Sequence, residues 1–227
     1  MVAAARAEAT ATGAAAAALG PDALAARDGR GFTAAHALAF CRRAPALSAF
    51  LGAGADADVR LLARPPPHTS AARVGLGRGA APLHCCFASH ENPDDVAAAA
   101  EALVRGGAAP AARDAAPPRR AATHVAATHG AAAACRALLH GGADPNLVDD
   151  AGDAPLHLAA AFGSGAVVKI LLDHGADPAL RDALGHDAKE RAVANANTGC
   201  ALLISKRLSA GGEARGAAAR RKLKAEP

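Results

Sequence analysis

The amino-acid sequence predicts an all-α fold in which short helix–turn–helix units stack side by side. Three observations predict it. A motif recurs along the chain, with His124 and His157 standing 33 positions apart. Each copy carries two runs whose apolar residues follow helical spacing. Each second run ends at a glycine followed by turn-forming residues, as in Gly175-Ala176-Asp177-Pro178.

The repeat is clearest between residues 119–145 and 152–178, where GGADP in the first segment aligns with HGADP in the second. Earlier copies begin with GFTAAHALAF at 31–40 and GAAPLHCCFA at 79–88. A fifth, divergent copy begins near Asp182 and has Lys189-Glu190 where Leu-His would stand. The chain therefore contains four recognisable repeats and a degenerate C-terminal one.

Each element of the repeat has a local physical reason. Proline at position 155 suits the first turn of a helix, where no amide donor is lost. The run 167–172 places Val, Ile and Leu on one helical stripe, and Gly175 favours a stop. Alanine-rich helices of this length are marginal alone, so neighbouring copies must pack together.

A T-P-L-H-x-A opening in a two-helix repeat of this length resembles the ankyrin-repeat family. The resemblance implies an ankyrin-repeat solenoid of stacked helix–turn–helix units with hairpin-like turns. We expect a domain order of an Ala-rich N-terminal segment or cap (1–27), an array (28–207) and a basic disordered tail (208–227). The expected repeats are about 28–57, 76–110, 116–148, 149–181 and 182–207, with an inserted loop at about 58–75.

Departures from the family pattern carry their own expectations. Among the first four repeats, only the first has the threonine of the opening motif, as Thr33. The other three have alanine, and each of them loses a hydroxyl cap that normally contributes about 1 kcal/mol. Arg119 stands where the other turns have glycine, which predicts a non-standard turn in repeat 3. The polar Lys189-Glu190 pair predicts that repeat 5 caps the array.

One histidine recurs in each of the first four repeats, at His36, His84, His124 and His157. Such residues form a row instead of converging on a metal or substrate. The family resemblance implies a structural role, with hydrogen bonds near the helix start and toward the next repeat. An alternative zinc site at Cys85, Cys86 and His90 lacks a second ligand pair. We predict no metal site and no cofactor.

No nucleophile elbow, phosphate loop or paired-acid motif occurs, so we predict no catalytic residues and no enzyme activity. Five scattered cysteines indicate a reducing compartment. No apolar run has the length of a membrane span. We therefore expect a cytoplasmic monomer with no membrane association. An organelle transit peptide within residues 1–20 is the alternative for the N-terminus.

Two segments fall outside the repeats. The tail 206–227 has seven Lys/Arg and two Glu and so a net charge of +5, which leaves about −1 for the rest of a +4 chain. It serves either as a solubilising end or as a nuclear address or RNA contact. The loop 59–78 carries four arginines, and its Pro65-Pro66-Pro67 is either solvated or a polyproline ligand.

The family resemblance places the partner surface on the concave face, formed by the first helices, and on the turn tips. By position, the concave residues are Phe40, Cys41, Ala88, Ser89, Thr128, His129, Ala161 and Phe162. The tips are Arg113, Arg119, Arg120, Asp149, Asp150, Arg181 and Asp182. The two phenylalanines are the expected anchors, with packing between repeats as their alternative role. We predict an adaptor that binds an unidentified protein; a nucleic-acid-associated factor using tail and loop is the alternative.

Overall fold

A computed structural model describes residues 33–41, 43–58, 80–87, 93–114 and 118–209, without the side chains of Phe40 and Pro93. The described chain is helical, and its only other regular pairings are two isolated bridges. The helices are α1 (Ala34–Phe40), α2 (Ala44–Gly52), α3 (Pro82–Cys85), α4 (Pro93–Arg105), α5 (Ala122–Thr128), α6 (Ala132–His140), α7 (Pro155–Ala161), α8 (Gly165–Asp173), α9 (Ala188–Ala194) and α10 (198–209). The predicted all-α repeat fold is confirmed.

The chain divides into two compact units, one up to Asp144 and one from Pro145. In the first unit, the first helices α1, α3 and α5 pack in one row, and the second helices α2, α4 and α6 pack in another. Leu47, Leu103 and Leu138 lie fully buried on the second helices. Each buried leucine contributes about 1.5–3 kcal/mol, and small alanines between them let the helices approach closely.

In the second unit, α7 packs against both α8 and α9. The core is formed by Leu156, Leu171 and Ile204, all essentially inaccessible to solvent. Leu171 and Ile204 occupy equivalent positions of consecutive repeats, one on α8 and one on α10. The second helices of repeats 4 and 5 therefore bury the same stripe.

The turns carry the left-handed backbone that the repeated glycines predict. Gly152 and Gly185 have φ values of 74° and 83°, and Arg119, at the equivalent position, has φ 52°. The turn of repeat 3 is longer, because the amide of Asp114 bonds the carbonyl of Arg120, six residues on, whereas Asp149 bonds Asp153, four residues on. Repeat 3 thus keeps the left-handed position without glycine and has two additional residues.

A second left-handed position follows the first helices of repeats 3, 4 and 5. Glycine occupies it in repeats 3 and 4, but Ala196, with φ 60°, occupies it in repeat 5. Left-handed backbone costs a non-glycine residue roughly 1–2 kcal/mol. Glycine avoids this cost but loses about 0.5–1 kcal/mol through its greater conformational entropy in the unfolded chain. We expect Ala196→Gly to raise the free energy of unfolding by up to about 1 kcal/mol in urea titrations. Ala194→Gly, at the last helical residue of α9, is the control and should not raise it; a destabilised Ala196→Gly would contradict the argument.

Several predicted features lie outside the described residues: the N-terminal segment 1–27, the inserted loop beyond Asp58, and the tail from 210 onward. Ala88, Ser89 and His90 also lie outside them. Within the part of the chain that is described, no helix is long and apolar enough to cross a bilayer.

Candidate binding surface

The four repeat histidines are buried, with at most 1% of each side chain exposed. In every case Nδ1 accepts the amide hydrogen of the residue three positions earlier, as Ala154 N–H donates to His157 at 3.1 Å. With Nδ1 accepting, Nε2 carries the hydrogen. Nε2 of His157 lies 3.0 Å from the carbonyl oxygen of Leu180, and Nε2 of His84 lies 3.0 Å from that of Arg120. The rings of His84 and His157 therefore join their helix starts to a later segment of the chain.

In the three repeats with alanine at the N-cap, this imidazole bonds the N-cap amide that a capping box would otherwise serve. Thr33 keeps its hydroxyl 2.9 Å from Nδ1 of His36. Repeat 5 uses the alternative: Glu190 accepts the amide of Asp187 and Asp187 accepts that of Glu190, both at 2.8 Å. The Lys189-Glu190 departure thus places a capping box at the start of α9.

The tips of repeats 4 and 5 are held from inside by two aspartates. Asp149 accepts the amides of Ala151 and Asp153 at 2.9 and 3.0 Å, and Asp182 accepts those of Leu184 and His186, both at 2.9 Å. Their side chains are buried, at 3% and 7% exposure of the residue. The family resemblance predicts that Asp149 and Asp182 contact a partner at the tips. In the structure, their carboxylates bond amides of their own turns.

Arg191 connects these turns. Its Nη2 donates to both carboxylate oxygens of Asp153 at 3.0 and 3.1 Å, and its Nη1 lies 3.5 Å from Oδ2 of Asp182. Burial raises the pKa of the Asp153 carboxyl above its ordinary value even though Arg191 acts in the opposite direction. Burial would also raise the pKa of Asp182, but amide hydrogen bonds from His186 and Leu184, with the Arg191 charge, hold it below its ordinary value.

Asp150, Arg181 and Leu184 are among the side chains that face solvent at these tips. Leu184 is 75% exposed. Arg181 donates to the carbonyl of Gly185 and lies 3.6 Å from the carboxylate of Glu190. The exposed tip of repeat 5 therefore combines an apolar and a cationic group.

The end of the first helix in repeat 4 exposes an aromatic ring. Phe162 is the C-cap of α7, and 62% of it is exposed, so it is not packed between repeats. Ala161 beside it is half-buried. The backbone there is fixed by Asn197, whose Nδ2 donates to the carbonyls of Ala160 and Ala161 at 2.9 and 2.7 Å. The ring is therefore presented on a constrained helix end.

The corresponding residues of the first unit are more polar. Cys41 is exposed, and Thr128 and His129 are half-buried. The Thr128 hydroxyl donates to the carbonyl of His124 at 2.9 Å, and Nδ1 of His129 lies 3.0 Å from the carbonyl of Val125. These two side chains already bond their own helix. At the tip of repeat 3, Arg119 is exposed and Arg113 and Arg120 are half-buried.

The described residues contain no cluster of three or more potential metal ligands. Burial raises the pKa of the Cys85 and Cys135 thiols to about 12, so neither supplies a thiolate at neutral pH. None of Cys41, Cys85, Cys86, Cys135 and Cys200 forms a disulfide. Among the described residues there is therefore no assembled metal site, and Cys85 and Cys135 are protonated at neutral pH.

The sequence argument missed Arg191 and the inward direction of the tip aspartates. Arg191 stands 33 positions after Leu158, at the same position of the next repeat. A cation at a repeat position that is otherwise apolar was the signal for its role. An aspartate at the turn starts of repeats 4 and 5, Asp149 and Asp182, was the second signal, because short acidic side chains bond amides two residues on.

Comparison with known proteins gives one match. A family model described as ankyrin repeats, in three copies, matches residues 88–182 and 123–210. A search of curated proteins finds no match. The two matched segments together cover more than half of the chain and include the described second unit. With the helix pairs, the buried repeat histidines and the left-handed turns, the match places the chain in the ankyrin-repeat family.

Proposed function

We propose that this protein is a non-enzymatic adaptor that binds another protein through the exposed first-helix ends and turn tips of its repeats, with Phe162 as the principal anchor. Ankyrin repeats are generally protein-interaction modules, and proteins built from them are typically not enzymes. The observation that carries the proposal is the 62% exposure of the Phe162 ring at the end of α7.

An exposed phenylalanine on a fixed backbone suits this role for energetic reasons. Aromatic side chains supply large apolar area with few rotatable bonds, and interface anchors contribute about 2 kcal/mol or more each. The two hydrogen bonds from Asn197 hold the adjacent backbone before any partner arrives. Little ordering free energy is then lost when Phe162 becomes buried in a complex.

The tips supply the polar and charged part of the proposed surface. Asp150 and Arg181 have opposite charges and are exposed, and Leu184 adds apolar area. The buried carboxylates of Asp149 and Asp182 fix the backbone on which these groups stand. Such a rim of mixed charge around an apolar anchor favours a protein partner with complementary charges.

Other positions enter the proposal in supporting roles. Cys41, Thr128, His129 and Ala161 occupy the same repeat positions as the anchor or its neighbour. Of these, only Cys41 is exposed, so the first unit offers a weaker anchor among its described side chains. The proposal therefore concentrates binding free energy in the second unit.

We expect Phe162→Glu to abolish capture of partner proteins by the immobilised full-length chain, because a carboxylate cannot be buried where the ring was without a large desolvation penalty. Quantitative mass spectrometry of the captured proteins measures the effect. Circular dichroism melts should be close to those of the parent chain, since the ring is mostly exposed.

Leu202→Glu is the matched control, because Leu202 is 71% exposed but lies on α10, away from the first-helix ends. Proteins lost with Phe162→Glu and retained with Leu202→Glu support the proposal. Equal loss with both variants, or full retention with a folded Phe162→Glu variant, shows that the anchor is elsewhere.

A further inference from the structure

A groove lies between the second helices of repeats 4 and 5, on elements that the proposed partner surface does not use. It encloses a volume of about 380 Å³. One wall is a helical stripe of α8 and the other is a helical stripe of α10, each with spacing i, i+3, i+4. The lining residues are Lys169, Leu172, Asp173, Leu203, Lys206 and Arg207.

Repeats 2 and 3 pack this position differently. There the second helix is followed by glycine, and a Cβ on Gly106 would lie 2.6 Å from Cδ1 of Leu51. A Cβ on Gly141 would collide with Cγ1 of Val104. These glycines allow the end of each second helix to touch the preceding repeat directly. Both comparisons lie within the first unit.

Repeat 5 has Arg207 at the equivalent position, and its second helix does not stop there. The preceding second helices end at Arg105, His140 and Asp173, whereas α10 is still helical at Ser209. Because a long side chain replaces the glycine, Arg207 extends beside α8, and its Nη2 donates to the carbonyl of Leu172 at 2.8 Å. Its guanidinium therefore bonds one of the last carbonyls of α8, where the helix dipole favours a cation.

The groove has an apolar floor and a cationic rim. Leu172 is buried but Leu203 is 38% exposed, so part of the floor remains open. Lys169, Lys206 and Arg207 give three positive charges against the single carboxylate of Asp173. Neither Lys169 nor Lys206 forms an ion pair with any residue that the structure describes, and both are exposed. The groove thus presents a net charge of +2 around apolar side chains.

We propose that this groove is a second binding site, which accepts an acidic segment of a partner protein carrying an aliphatic side chain. The aliphatic group packs against Leu172 and Leu203, and flanking carboxylates face Lys169 and Lys206. The volume is at the lower end of the roughly 300–1,000 Å³ found for ligand pockets, which suits one or two side chains. The groove is partly open to solvent, which suits a peptide side chain better than a fatty acyl chain.

The site is independent of the proposed anchor. Phe162 ends a first helix, whereas the groove lies between two second helices. Loss of one site therefore leaves the other intact, and the two proposals can fail separately.

The test uses the full chain and three short fluorescein-labelled peptides, read by fluorescence anisotropy. The first peptide has leucines a helical turn apart flanked by glutamates, the second has serines for the leucines, and the third has lysines for the glutamates. Only the first should bind, and its Kd should rise with salt because exposed charges are screened. Laurate serves as the amphiphile probe and should not compete.

Lys169→Glu combined with Lys206→Glu should weaken binding of the first peptide at least about tenfold, because four units of charge change on the rim. Lys189→Glu, exposed on α9, is the charge control. Leu203→Ser should weaken binding, whereas Leu202→Ser, on the same helix but outside the groove, should not. Equal binding of the leucine and serine peptides, an unchanged Kd in the double variant, or displacement by laurate overturns the proposal. Phe162→Glu should leave this Kd unchanged.

Discussion

Replacing Arg191 with methionine is expected to lower the free energy of unfolding by about 3 kcal/mol in urea titrations at neutral pH. The guanidinium bonds Asp153 and lies close to Asp182, and the side chains of these aspartates are only 9% and 2% exposed. Methionine fills much of the same volume but leaves two buried carboxylates without their cation. This expected loss of stability lies at the low end of the range for breaking a buried ion pair, because a quarter of the Arg191 side chain is exposed.

The deficit should shrink on acidification. Without Arg191, the folded-state pKa of both carboxyls moves upward, since its charge lowers both. A carboxyl whose pKa is raised in the folded state destabilises the protein at pH values above that pKa. This cost disappears as the pH falls through the folded-state pKa. The difference between the parent and Arg191→Met should therefore be largest at neutral pH and smaller in mild acid. Lys189→Met, on an exposed position of the same helix, should show little loss and no such pH dependence.

His157→Ala is expected to lower the free energy of unfolding by about 3 kcal/mol, measured in the same way. Its ring accepts the amide of Ala154 and bonds the carbonyl of Leu180, and both bonds are lost together with the packing of a buried side chain. An unsatisfied buried group costs roughly 1–3 kcal/mol. The loss of two partners at once makes this one of the largest single-residue effects expected.

His174→Ala provides the comparison for this prediction. His174 is half-buried at the end of α8, and its Nδ1 lies 2.8 Å from the carbonyl of Ile170 in the same helix. Its removal should cost clearly less. If the two variants lose the same stability, the repeat histidine contributes only ordinary packing, and its hydrogen bonds do not carry the effect assigned to them.

The order and type of helices could be predicted from sequence because each depends on local information. Apolar spacing defines the helices, and glycine at positions such as Gly175 defines where they end. The left-handed backbone at Arg119 could not be predicted, because an arginine there is disfavoured locally and is held by the closed turn. The hydrogen bond that closes the turn outweighs the local preference at that position.

The candidate surface was less predictable for a different reason. Position in the repeat identified Phe162, but its exposure depends on what the neighbouring repeat leaves uncovered. The pairing of Arg191 with Asp153 joins residues 38 positions apart, and no local pattern contains it. The burial of Asp182 depends on turn geometry that acidic character alone would not suggest. The partner-contact roles remain predictions, with binding as their test.

The inward aspartates of the turns have a consequence for engineering. Asp149 and Asp182 fix the backbone through amides within their own turns. The outward side chains at 150–151 and 183–184 are therefore not needed to hold the turn conformation. These positions can be randomised in a display library while the frame stays intact. A tip sequence selected in repeat 4 should then be transferable to repeat 5, which makes the turns interchangeable cassettes.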